Sequence, residues 1–124
     1  MDLSKLDKVF SEYIRRRDAD DYGRVKCCTC DMVAHWSEMD CGHFIPRTHL
    51  STRFDEMNCH SQCKTCNQIM VGEMPKHGLY ITQRYSIDTV SKLIAKSRKA
   101  THLMQHEIDE LVEVYKQKIK NLEP

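Results

Sequence analysis

Four cysteines stand in two pairs, Cys27/Cys30 and Cys63/Cys66, each pair separated by two residues, and the pairs bracket 32 residues between Cys30 and Cys63. A two-residue gap lets one turn present two sulfurs to the same ion at about 2.3 Å, so two such pairs predict a closed, tetrahedral, four-thiolate zinc site. Two disulfides are the competing reading, and they need an oxidising compartment. The start, Met1-Asp-Leu-Ser-Lys, has no basic segment leading into an apolar stretch, and no run of about 18 apolar residues occurs. The expectation is a cytoplasmic chain with no membrane partner and with reduced thiols available to zinc. Cys28, Cys41 and Cys59 are surplus. Only Cys27 keeps the gap to Cys30 that mirrors Cys63 to Cys66, so Cys28 reads as a small buried neighbour, and Cys41 and Cys59 as small hydrophobes on strands.

The bracketed segment carries residues suited to work on a phosphate. In a ββα unit a histidine ends the first strand and a metal-binding side chain sits on the helix, so that base and cation converge. His43, at a candidate strand end, Asn58, on a candidate return strand, and Asn67, directly after the last zinc cysteine, fit that plan. Asp40 shares a strand face with Gly42, about 6 to 7 Å back along the chain. Arg47 and Arg53 flank the segment on a loop, where bidentate phosphate contacts are natural.

The elements that must position these residues are legible in part. Leu3, Leu6, Phe10, Tyr13 and Ile14 recur at helical spacing, predicting a helix over 3–17. Residues 33–44 read as a strand, 45–55 as a connecting loop, 56–62 as the return strand of the hairpin, and 63–70 as a short helix. Residues 72–78, with Pro75, read as a linker. Ser86 caps a helix with Ile87, Val90, Leu93 and Ile94 on one face. Ile108, Leu111, Val112, Tyr115, Ile119 and Leu122 mark a last helix, whose apolar face is core packing or, alternatively, a homodimer seam. The 124 residues make one domain: an N-terminal helix over 1–22, a zinc-stapled core over 23–73 and two C-terminal helices over 74–124. The fold class is α+β, and the chain is small enough for a metal staple to matter.

A net charge of +1 excludes a uniformly basic protein, so nucleic-acid contacts must come from local patches. Arg84, Lys92, Lys96, Arg98 and Lys99 stand against Asp88 alone, an excess of 5 − 1 = 4 positive charges. Within that patch Arg84 and Lys92 are candidate phosphate ligands, with a solvated charged face as the alternative. Arg15-Arg16-Arg17 reads as a basic helix end facing the dipole. His35, His49, His77, His102 and His106 read as surface residues. His60 is open between phosphate binding, assistance to His43 and a structural hydrogen-bonding role.

The string Asn58-x4-Cys63-x2-Cys66-Asn67 resembles the second half of the HNH nuclease motif, and Gly42-His43-Phe44-Ile45-Pro46 its first half. Asp40-x-Gly42-His43-Phe44, Leu50-x2-Arg53-Phe54, Glu56-x-Asn58-x-His60-x-Gln62-Cys63 and Gly72, with flanking runs at 14–18 and 115–118, are similar to the phage recombination endonuclease family NinG or Rap. The similarity covers about residues 10–122. It departs where Glu73 replaces a common Asn, and in an N-terminal extension carried by some members. The resemblance implies an HNH-like ββα-metal core and a structure-selective endonuclease cutting branched DNA such as Holliday junctions and D-loops. It implies His43 as general base and a catalytic Mg²⁺ or Mn²⁺ beside the structural zinc. Asn67 is the first candidate ligand for that ion and Asp40 the second. Asn58 is expected to tie the loop to the hairpin and orient His43. Symmetric cutting of two strands would need two active sites, hence a homodimer. A general HNH nuclease on duplex DNA and a non-catalytic zinc module that binds DNA are the alternatives.

Overall fold

A computed structural model describes residues 2–123. Helices and two small antiparallel sheets make an α+β fold: α1 (Ser4–Arg17), β1 (Arg24–Lys26), β2 (Val33–His35), a 3₁₀ turn (Trp36–Glu38), β3 (Asp40–His43), α2 (Leu50–Arg53), β4 (Cys59–Gln62), a π-helical turn (Thr65–Ile69), α3 (Met74–Arg84), α4 (Ile87–Ser97) and α5 (Gln105–Leu122). Among the described residues no helix is long and apolar enough to cross a membrane.

Helix α1 buries the predicted stripe. Leu6, Phe10 and Ile14 pack with Cys59 and with Ile108, Val112 and Tyr115 of α5, and Phe10 meets Tyr115 and Phe54 edge to face at 4.9 and 5.5 Å. The apolar face of α5 is therefore spent on α1, the core-packing alternative. A second cluster, Val25, Cys27, Met39, Cys63 and Cys66, surrounds the cysteine pairs, and a third, Phe44, Ile45, Ile81 and Leu93, joins the segment after β3 to α3 and α4.

Several sequence expectations need correction. Residues 33–44 are not one strand: β2 pairs with β1, and after the 3₁₀ turn β3 pairs with β4, placing Asp40 opposite Gln62 and His43 opposite Cys59. The loop over 45–55 contains α2. Asn58 precedes β4 instead of lying on it. The helical segment after Cys63 is a π-helical turn, with the new helix α3 beginning at Met74. Three helices, not two, occupy the C-terminal part. The linker reading of 72–78 fails because Pro75 sits in the first turn of α3, where its missing N–H costs nothing. Gly78, in turn, is there for close packing, since a Cβ would lie 3.0 Å from the Phe44 ring. The cap at Ser86 is as expected: its Oγ accepts from Thr89 N–H at 3.2 Å.

Candidate active site and metal centre

The sulfurs of Cys27, Cys30, Cys63 and Cys66 all lie within 4.8 Å of one another. Cys30 Sγ and Cys63 Sγ are 3.8 Å apart, which is about the separation of two ligands bound tetrahedrally to one zinc at ~2.3 Å. Backbone N–H groups of Met32 and Cys66 point at Cys30 Sγ and Cys63 Sγ at 3.4 Å, as thiolates in such knuckles require. The donor set fits a structural metal such as zinc. Cys28 stays outside the quartet, and its N–H donates to Ser61 O at 3.0 Å, tying the knuckle to β4.

Asp40, Cys41, His43, Arg47, Lys64 and Asn67 line one open cleft of about 610 Å³, walled by α1 through Asp7 and Arg15. Strand alternation puts Cys41 and His43 on one face of β3 and Asp40 on the other, and the cleft wraps the sheet end so that both faces reach it. His43 Nε2 lies 3.0 Å from Arg53 O. A carbonyl can only accept, so Nε2 carries the proton and Nδ1 is the free nitrogen of the neutral ring. Burial holds His43 below its ordinary pKa, with the Arg53 and Cys41 carbonyls pulling partly back, so the ring is neutral at pH 7.

Asp40 is the hub of the opposite wall. Its Oδ2 accepts from Asn67 Nδ2 at 2.9 Å and Gln68 Nε2 at 2.8 Å, and its Oδ1 pairs with Lys64 Nζ at 2.7 Å. Partial burial opposes its charge, but the Lys64 ammonium and the two amides outweigh that and hold its carboxyl below the usual range. Asp40 therefore meets Asn67 directly. The space at Gly42 does not serve that reach, because it is filled by Gln62, with which a Cβ at Gly42 would collide. Gln62 Nε2 donates to Thr29 Oγ1 and to Gly72 O, both at 2.9 Å, fastening the first cysteine knuckle to the end of the Asn67 turn.

Asn58 is fully buried and braces the loop. Its Oδ1 accepts from Ile45 N–H at 2.8 Å, and its Nδ2 donates to Ile45 O and Thr52 O at 3.1 Å each. These bonds tie the loop after β3 to the segment before β4 and use the amide's oxygen and both of its N–H groups. Thr52 is the neighbour of Arg53, whose carbonyl holds His43.

The structure moves other candidates out of the site. His60 faces the far side of the sheet with Gly42. Its Nδ1 lies 3.0 Å from His77 Nε2 and its Nε2 3.1 Å from Tyr85 Oη, so it is structural and does not reach the cleft. Burial and the adjacent His77 ring push its pKa down to about 2. His77, expected at the surface, is fully buried and pushed down to about 4, also by burial first. Arg53 donates from Nε to Asp7 at 3.0 Å and pairs with the same carboxylate through Nη2, so its guanidinium is committed within the fold. Arg84 grips Asp18 through two bonds of 2.7 and 2.9 Å, away from His43. Lys92 lies on α4 beside Asp55, also outside the cleft. Arg47 is 64% exposed at the rim, with Nη2 3.5 Å from the same Asp7 carboxylate, a longer and more open pair than that of Arg53. Glu73 occupies the N-cap position of α3 and does not line the cleft.

Asp7, Lys64 and Gln68 were not singled out from sequence, and Arg15 was read only as part of a basic helix end. Asp7 had a signal: it falls on the apolar stripe of Leu3, Phe10 and Ile14, where an acid needs a partner. Lys64 and Gln68 had none.

A family model described as NinG, Bacteriophage Lambda NinG protein, matches residues 3–124. The chain is similar to Protein ninG of Salmonella phage P22, 28% identical over 123 residues, covering 97% of this chain and 57% of that protein. It is also similar to Protein ninG of Escherichia phage 933W, 26% identical with 97% and 57% covered, and of Escherichia phage lambda, 25% identical with 97% and 56% covered. The chain thus spans little more than half the length of these curated relatives. No solved structure matches.

Proposed function

The chain belongs to the NinG family of bacteriophage proteins, and from that premise we propose that it is a metal-dependent DNA endonuclease acting on branched recombination intermediates. The observation that carries the reading is the cleft itself. A neutral imidazole, held by a backbone carbonyl at Nε2 with Nδ1 left unprotonated, shares one open groove with a carboxylate and amide pair and a rim arginine.

In this reading His43 Nδ1 takes the proton of a water as its oxygen bonds to phosphorus, and the bond from phosphorus to the 3′ oxygen breaks. The Arg53 carbonyl fixes the tautomer and the ring plane, and Asn58 fixes the backbone that presents both. Arg47 engages a non-bridging phosphate oxygen or its neighbour. Asp40 and the Asn67 amide oxygen are the donors that would hold Mg²⁺ or Mn²⁺, a hard ion suited to oxygen ligands. When bound, it would supply charge neutralisation on the phosphate. The donors are oxygens of the kind such an ion takes, and to bind it Asp40 would exchange the Lys64 ammonium and the two amide N–H groups it now accepts from, with the Asn67 amide turned to present its oxygen. The zinc quartet has no open position and serves to clamp β4 and the Asn67 turn to the knuckle.

Four-way junction, flap and linear duplex DNA incubated with Mg²⁺ or Mn²⁺ test the reading, wild type against His43→Ala. Expected is cleavage of the branched substrates, reduced by a factor of about 10² or more in the variant. Equal cutting of linear duplex would favour a general nuclease. No cutting, or an unimpaired His43→Ala, would overturn the proposal.

A further inference from the structure

We infer that Cys41, His43 and Cys59 form a second, thiophilic metal site whose occupation takes the His43 imidazole out of use. Their ligand atoms lie within 4.8 Å of one another. Cys59 is fully buried on β4 opposite His43, and Cys41 is two residues before His43 on the same face of β3. Zinc with two sulfurs and one nitrogen needs separations of about 3.5–3.8 Å, given bonds of ~2.3 and ~2.0 Å, so a small closing of the three side chains suffices.

Three features single this cluster out from three neighbours brought together by packing. The Arg53 carbonyl already accepts a hydrogen bond from His43 Nε2–H, the arrangement that leaves the other nitrogen unprotonated for a metal. Two thiolates and a divalent ion sum to zero charge, so the ion would offset two adjacent anions, one of them, on Cys59, fully buried. Cys41 and His43 also line the open cleft while Cys59 closes the back. A bound ion would therefore have three protein ligands and a fourth position toward solvent, an exchangeable site in contrast to the closed four-cysteine one. Its soft donors select Zn²⁺, Cd²⁺ or Cu⁺ over Mg²⁺. The ion would occupy the unprotonated nitrogen of His43, the one that must accept the proton, so free zinc beyond the structural equivalent would switch the chain off. This last step rests on the nuclease reading; the metal site does not.

The test uses the full chain loaded with one equivalent of zinc and titrated with Co²⁺. Expected is a second equivalent with sulfur-to-cobalt charge-transfer absorption and the visible bands of a tetrahedral ion. Cys41→Ala should lose it, and His43→Ala should weaken it by more than about 10-fold, the least that losing even a supporting partner costs a metal site. Cys41 is only partly buried, so Cys41→Ala tests the site without depending on the folding of a Cys59 variant. Saturation at one equivalent, or a second equivalent that survives in Cys41→Ala, overturns the inference; the latter also covers exchange at the four-cysteine site. In the cleavage assay, zinc above one equivalent should inhibit wild type at concentrations at least about 10-fold below those that inhibit Cys41→Ala. A chain that binds the second ion but cuts no DNA supports the metal site and sinks only the nuclease reading. A chain that cuts DNA and binds no second ion does the reverse.

Discussion

Asn58→Asp separates a brace from a metal ligand. The substitution keeps shape and keeps the oxygen that accepts from Ile45 N–H. It replaces the amide that donates to Ile45 O and Thr52 O, each at 3.1 Å, with an oxygen facing two carbonyl oxygens. Two lost hydrogen bonds cost roughly 1 kcal/mol each, and a fully buried carboxylate without a counter-charge adds about 3 kcal/mol. The sum, about 5 kcal/mol, is comparable with the whole stability of a small domain at ~5–15 kcal/mol. Asn58→Ala instead orphans three main-chain groups at about 1 kcal/mol each, ~3 kcal/mol in all. The expected order of stability is therefore wild type, then alanine, then aspartate, with alanine the milder change although it removes more atoms. Urea unfolding followed by circular dichroism, at one fixed free-zinc concentration, reads it. If Asn58→Asp unfolds within about 1 kcal/mol of wild type and binds divalent ions more tightly, Asn58 is a ligand and the bracing argument fails.

Cleavage rate should rise with pH only up to a point below 6.5 and be flat through neutrality, because burial lowers His43 and the neutral form is the base; a rate climbing tenfold per unit between pH 7 and 8 would refute it. His60 and His77 are buried neutral, at about 2 and about 4. Their depressed values stabilise the fold above the unfolded pKa near 6.5, and that stability is lost as pH falls. Both contribute between about 6.5 and 4 and His60 alone below that, at about 1.4 kcal/mol per pH unit for each ring. Unfolding measured at pH 7.5 and 5 checks this, and His77→Gln should make the slope shallower, with His60 and His43 supplying the remainder. Cys63→Ser should lower bound zinc below one per chain and melt the chain at lower temperature, measurable by metal analysis and calorimetry; an unchanged melting temperature would remove the clamp role.

Local chemistry made much of the site readable. Spacing alone identified the four thiolates, because metal ligation demands short pairs. It separated Cys27 from Cys28 for the same reason. The helical period of Leu6, Phe10 and Ile14 was equally local, as was the cap at Ser86. Pro75 and Gly78 misled because their local meaning, a break, is overridden when one falls in a first helical turn and the other lies against Phe44. Histidines were the least legible. His77 and His43 are the same residue type in polar stretches, and only packing places one against His60 in the interior and the other at a groove.

Sequence alone was enough for the cysteine quartet, for the helices that carry long apolar stripes and for a short list of candidate polar residues, since each depends on neighbours within a few positions. Tertiary structure alone decided which of that list meet. Asp40 reaches Asn67 because the first cysteine knuckle and Gln62 bring the turn after β4 over the sheet end. Arg53 turns to Asp7 and Arg84 to Asp18, because a buried or half-buried guanidinium is drawn to the carboxylate the fold sets beside it. His43 is left with a carbonyl on one nitrogen and the cleft on the other, a division no residue spacing encodes.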